Sequence, residues 1–151
     1  MDDVRRFDDR IAGYRLEDLA VGMSAVFTKT LTETDVVLFS GITGDTNPVH
    51  LNQEFAETTF FKGRVAHGML SASFISTVLG TKLPGPGAVY VSQSLRFRAP
   101  VRVGQTVMAR CTVTEIVLER RRAVLSTQCL VGDTVVVDGE AVVIVPGRDA
   151  V

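Results

Sequence analysis

The chain has only two cysteines, two histidines and almost no net charge, and each shortage closes off a class of function. Cys111 and Cys129 stand alone in alternating apolar stretches, with no CxxC pair and no histidine at a ligand spacing, so neither a zinc site nor a redox motif is indicated. Sixteen basic against seventeen acidic residues leave a formal charge of -1. A chain so balanced has no broad basic field with which to grip nucleic acid or an anionic membrane. The longest unbroken apolar run is Ala141 to Val145, far short of the roughly 18 residues that span a bilayer, and no membrane anchor is expected. Met1 to Arg10 is acidic and lacks the apolar stretch of a secretory signal, which makes a cytoplasmic protein the expectation. A GxSxG elbow, an HExxH zinc site and Gly-rich phosphate loops are all missing, so the common cofactor enzymes are disfavoured.

What is present suits one globular domain over residues 1–151, with 46% hydrophobic and 22% charged residues. A chain of this size buries roughly 70% of its unfolded surface and needs no disulfide or metal to make a core. Residues 1–22 are charged and end in Leu19-Ala20-Val21-Gly22, which reads as an arm docking through its apolar residues. Ser24 to Thr30 alternates as a strand with one face covered. Thr32 with Asp35 three positions on is a helix start, continued by Val36, Val37, Phe39 and Ser40 and stopped near Gly41 to Gly44. Asp45 to His50 reads as a loop, after which Asn52 caps a short helix that ends before Gly63. Ala66 to Gly80 predicts a longer helix, apolar or small around most of its circumference and therefore buried across a sheet.

From Ala88 the period changes to two. Strands are expected at 88–97, 106–117, 123–131 and 134–145, the last with a bulge or break at Asp138-Gly139. Strand, helices, then four antiparallel strands in a meander predict an α+β domain: a curved antiparallel sheet with one long helix on its concave face. Such a sheet leaves two edges, and a homodimer would cover one.

With two histidines, the candidates for proton transfer are few. Asp45 and His50 flank Asn47-Pro48, where the proline restricts the backbone and lets both side chains converge on one spot as an acid/base pair. The competing reading is that Asp45 caps the loop and His50 packs against it. His67-Gly68 opens the long helix, where backbone N–H groups lack intrahelical partners. Gly68 is either a packing residue or a donor to a ligand oxygen, and His67 reads as a tie between the helix start and a neighbouring loop.

The stretch Phe39-Ser40-Gly41-Ile42-Thr43-Gly44-Asp45-Thr46-Asn47-Pro48-Val49-His50-Leu51-Asn52 closely resembles the hydratase-2 motif of MaoC-like (R)-specific enoyl-CoA hydratases. The resemblance continues through Gly63 to Leu70, Leu83 to Gly87 and Val91 to Phe97, covering roughly residues 14–146. Gln53 departs from it, standing where the family commonly has proline, at a helix start rather than at a reacting group. The resemblance implies a hot-dog fold, a dimer, and reversible hydration of a trans-2-enoyl-CoA to an (R)-3-hydroxyacyl-CoA. It makes Asp45 and His50 the catalytic pair and Gly68 the oxyanion donor. It also makes Ser76, eight residues and about two helical turns after Gly68 and so on the same buried side of the helix, a polar support for Asp45, while Asn47 holds the loop or the water.

No metal or cofactor is implied, because coenzyme A is part of the substrate, its phosphates met by Arg or Lys near the dimer edge. Alternatives that share the fold are a dehydratase acting on acyl carrier protein substrates, an acyl-CoA thioesterase and a noncatalytic acyl-thioester-binding subunit. Acyl-pocket depth depends on how residues such as Met69, Ser73, Phe74, Val78 and Val91 are disposed, and spacing alone does not place them against an acyl tail.

Overall fold

The computed structural model describes residues 11–149. The first ten residues of the arm lie outside them. The rest of the arm docks through Leu16 and Leu19, while Val21 stays exposed. Backbone hydrogen bonds pin it across the molecule, from Tyr14 N–H to the Pro84 carbonyl (2.7 Å) and from Leu16 N–H to that of Pro146 (3.0 Å).

Strand β1 (Ser24–Thr30) leads through buried Leu31 into helix α1 (Glu33–Thr43). That helix starts where it does because Thr32 accepts from Asp35 N–H while the Asp35 carboxylate accepts from Thr32 N–H. It stops because Gly44 takes the left-handed conformation at φ 76°. A single turn, α2 (Pro48–Leu51), follows, then α3 (Gln53–Thr58), capped by Asn52. The sequence reading took α2 for loop; one turn is too short to show periodicity.

Helix α4 (Gly68–Thr81) is the centre of the molecule. Its 14 residues span about 21 Å. Leu70, Phe74, Ile75, Val78 and Leu79 are buried in one core with Leu125, Val136, Val143 and others from the sheet. The sheet curves so that β1, β4 (Thr106–Val117), β5 (Arg122–Val131) and β6 (Thr134–Ile144) all contact α4. A helix wrapped by a curved antiparallel sheet is the hot-dog fold. No helix among the described residues is long and apolar enough to cross a membrane.

The expected four-strand meander is corrected in one respect. Strands β4, β5 and β6 do follow one another, but β2 (Val89–Gln93) pairs with β6 at the far edge, giving the order β1-β4-β5-β6-β2. The expected strand over 88–97 is two pieces, because β3 (Arg96–Phe97) rejoins β6 after a break at Ser94-Leu95. In β6 the irregularity expected at Asp138-Gly139 falls instead at Val136, the extra residue against β5, while Asp138 and Gly139 themselves are paired. Gly139 serves this crossing: a Cβ on it would overlap the Ser94 carbonyl oxygen.

Candidate active site

Asp45 sits on the turn after α1, His50 on α2, and His67 with Gly68 at the start of α4. The fold brings them to one cleft of about 540 Å³, walled by apolar residues such as Val49, Val65, Phe97, Val101 and Val137. A side-chain atom of each of Asp45, His50 and His67 lies within 4.8 Å of the other two. Local chemistry explains the placement. The Asp45 carboxylate accepts from Asn47 N–H (3.3 Å), Asn47 Oδ1 in turn accepts from Val49 N–H (3.1 Å), and Pro48 stands in the first turn of α2. Asn47 therefore lines the cleft as the cap that holds α2, and with it His50, next to Asp45.

Each imidazole is fixed in orientation and tautomer by a carbonyl, which can only accept. His50 Nδ1–H donates to the Val65 carbonyl at 2.7 Å, leaving Nε2 with a free lone pair. His67 Nε2–H donates to the Asp45 carbonyl at 3.0 Å, close also to Ser40 Oγ at 3.1 Å, and so ties the α4 start to the Asp45 turn. The two rings stack, with centroids 3.8 Å apart and planes 30° from parallel. Phe39 also packs against His67, with centroids 4.9 Å apart, and His67 is buried. Burial holds the His50 pKa below the usual histidine value, opposed by its bond to Val65 and assisted by the adjacent His67. His50 is thus a neutral base near pH 7. Arg64 braces the same turn, donating from Nε to the His50 carbonyl (2.7 Å) and pairing with Glu33 (2.8 Å).

Gly68 is the first residue of α4, so its N–H has no acceptor within the helix. Its lack of a side chain has a steric cause: a Cβ would lie 2.6 Å from Phe97 Cδ1. Phe97 from β3 closes over the glycine and forms one wall of the cleft.

Three donors within 4.8 Å also match the spacing of a metal site. The stacked rings do not suit one. One nitrogen of each ring is already spent on a carbonyl, and the rings lie face to face rather than edge-on to a common point.

Ser76 is placed otherwise than expected. It is exposed, on an outward stripe of α4 with Met69, Ser73 and Gly80, and no hydrogen bond joins it to Asp45 in the single chain. Eight residues at about 100° each leave it about 80° around the helix from Gly68 rather than on the same side. Of the residues weighed for pocket depth only Met69 lines the cleft; Phe74 and Val78 are core, and Ser73 and Val91 are exposed. The sequence reading missed Ser40, Arg64, Phe97 and Ser71. Ser40, Arg64 and Phe97 had a signal, each lying within a stretch of the motif, whereas Ser71 falls one residue past the Gly63 to Leu70 stretch.

Residues 19–137 match the MaoC like domain family. The chain belongs to the MaoC-like family. This MaoC-like protein is 56% identical over 141 residues to the (R)-specific enoyl-CoA hydratase of Rhodospirillum rubrum, covering 93% of this chain and 97% of that one. It is 55% identical to the 3-hydroxybutyryl-CoA dehydratase of Methylorubrum extorquens, over 88% of this chain and 85% of that one. The solved (R)-hydratase of Aeromonas caviae, involved in PHA biosynthesis, superposes with a TM-score of 0.83 at 41% identity, covering 86% of this chain and 99% of that one.

Proposed function

We propose that this MaoC-like protein is an (R)-specific enoyl-CoA hydratase, adding water reversibly to trans-2-enoyl-CoA to give (R)-3-hydroxyacyl-CoA. The observation that carries this is that Asp45, His50 with its Nε2 left free, and Gly68 at the start of α4 line one apolar cleft, with Asp45 and His50 side-chain atoms within 4.8 Å. The water oxygen bonds to C3 as its proton passes to His50 Nε2. That proton crosses the pair from His50 to the Asp45 carboxylate and is delivered to C2, so that one water is added and both side chains are reset. Electron density moves from the C2–C3 double bond onto the thioester oxygen as the water attacks. The Gly68 N–H, at the positive end of α4, stabilises that charge more than it does the ground state. Asn47 and His67 are positioning residues, acting through Val49 N–H and the Asp45 carbonyl respectively. The reaction balances without a cofactor or metal; coenzyme A enters as part of the substrate.

The working unit is a homodimer. Val89 and Val91 on the edge strand β2, Val37 and Ile42 on α1, and Met69 on α4 are exposed in the single chain, and a second copy supplies the apolar cover they lack. Ser76 lies on that same outward stripe of α4, so any support it gives Asp45 operates within the assembled dimer. The free thiols of Cys111 and Cys129 favour a reducing, cytoplasmic setting.

The test is to incubate the protein with crotonyl-CoA and follow enoyl absorbance and free thiol in parallel. The expected result is enoyl loss without thiol release, abolished in Asp45→Asn. Thiol release would replace this reading with a thioesterase, and neither signal would point to a carrier-bound substrate or a noncatalytic subunit.

A further inference from the structure

Two residues that line the cleft, His67 and Ser71, each carry a buried polar atom amid apolar walls. His67 Nδ1 and Ser71 Oγ are buried, and neither has a hydrogen-bond partner among the described residues. Ser71 is only 1% exposed and sits on the sheet side of α4, where its carbonyl accepts the Cys129 thiol at 3.2 Å. It lines the cleft together with Val137. Because His67 Nε2 carries the proton given to the Asp45 carbonyl, Nδ1 of the neutral ring is an acceptor, while the Ser71 hydroxyl both donates and accepts. A buried donor or acceptor without a partner is costly, so two of them on residues lining one cleft call for a hydroxylic partner, and a water molecule has the right size and valence.

Ser71 stands three residues beyond Gly68, a rise of about 4.5 Å along α4. That distance is the reach of a short acyl tail whose carbonyl rests on the Gly68 N–H. A longer alkyl tail would have to displace the water and strand both polar atoms against hydrocarbon. We propose that Ser71, with His67 Nδ1, is a specificity-determining polar floor that restricts the cleft to short enoyl groups of about four carbons. This rests on the hydratase reading above, and it adds a residue that neither the motif nor the acid/base pair accounts for.

The test compares kcat/KM for hydration of crotonyl-CoA and trans-2-octenoyl-CoA in the wild type, Ser71→Thr and Ser71→Val. Threonine and valine have nearly the same shape and differ in the hydroxyl, so the comparison separates polarity from volume. The wild type is expected to prefer crotonyl-CoA. The octenoyl-to-crotonyl ratio should be roughly tenfold higher in Ser71→Val than in Ser71→Thr, the size of effect that stranding a buried polar group produces. If the branched side chains prevent folding, Ser71→Ala against the wild type reads the same quantity, with the ratio rising. Equal ratios in the variants, or a wild type that prefers octenoyl-CoA, overturn the proposal while leaving the hydratase reading in place. A wild type that hydrates neither substrate overturns both.

Discussion

Replacing Gly68 by alanine separates what the glycine does for the fold from what it does for the reaction. The added Cβ would lie 2.6 and 2.8 Å from Cδ1 and Cε1 of Phe97, so the ring edge must move by about 1 Å to reach ordinary contact. Phe97 is 53% exposed and sits on a two-residue strand, so it can swing, at an off-rotamer cost of about 1 kcal/mol. Alanine in place of glycine in a helix returns up to about 1 kcal/mol. The net change in stability is therefore close to zero, and the midpoint of thermal unfolding should move by only a few degrees. The cleft suffers more, because Phe97 forms its wall beside Gly68, and a misplacement of about 1 Å at a reacting group costs on the order of 100-fold in rate. Steady-state hydration of crotonyl-CoA alongside thermal unfolding measures both effects. Gly68→Ala with Phe97→Ala should recover part of the lost rate by removing the clash. Full activity in Gly68→Ala, or a loss of activity matched by a loss of folded protein, would refute the reasoning.

Three further outcomes follow from the same geometry. With burial holding the His50 pKa below its ordinary value of about 6.5, activity should be flat through neutral pH and fall only as acid protonates Nε2 below that value, seen as a single acidic limb in kcat/KM; a limb above pH 7 would contradict it. The same shift has a stability consequence of the same sign: the unfolded chain takes up the proton first, so stability is lost as pH falls from the unfolded toward the folded pKa. Asn47→Ala removes the cap on α2 and should cost about 1 kcal/mol in urea unfolding, with a larger relative loss in kcat than in KM, because the Asp45–His50 spacing loosens. Burial pushes the Cys111 and Cys129 thiols up to about 12, so the native protein should resist thiol reagents at pH 8 and react only on unfolding.

Much of this site is legible in the sequence because its signals are local. The Thr32–Asp35 capping box and the Asn52 cap each lie within one turn of the backbone they serve, and β1 is bounded by its own alternation. The Asp45 to His50 spacing is also local, fixed by Asn47 and Pro48. What escapes is settled by contacts distant in sequence. Nothing near Val89 says that it pairs with Ile144 instead of a neighbouring strand, and β2 lands at the far edge because the long α4 crossover carries it there. Ser40 meets His67 across 27 residues, and Phe97 covers Gly68 from a strand that exists only through its pairing with Val137 and Asp138. Ser76 shows the limit of counting along a helix, since two turns in eight residues is an approximation and the remainder turns the side chain outward.

The central claim is that Asp45 and His50 act as one proton-transfer unit, and the most direct measurement is the hydration rate of crotonyl-CoA by Asp45→Asn, His50→Ala and the double variant, each confirmed as folded. Groups that act as a unit are non-additive, so each single change should lower kcat by roughly 100- to 10,000-fold and the double change by little more than the worse single. Full hydration by either single variant, or losses that multiply in the double, would contradict the account.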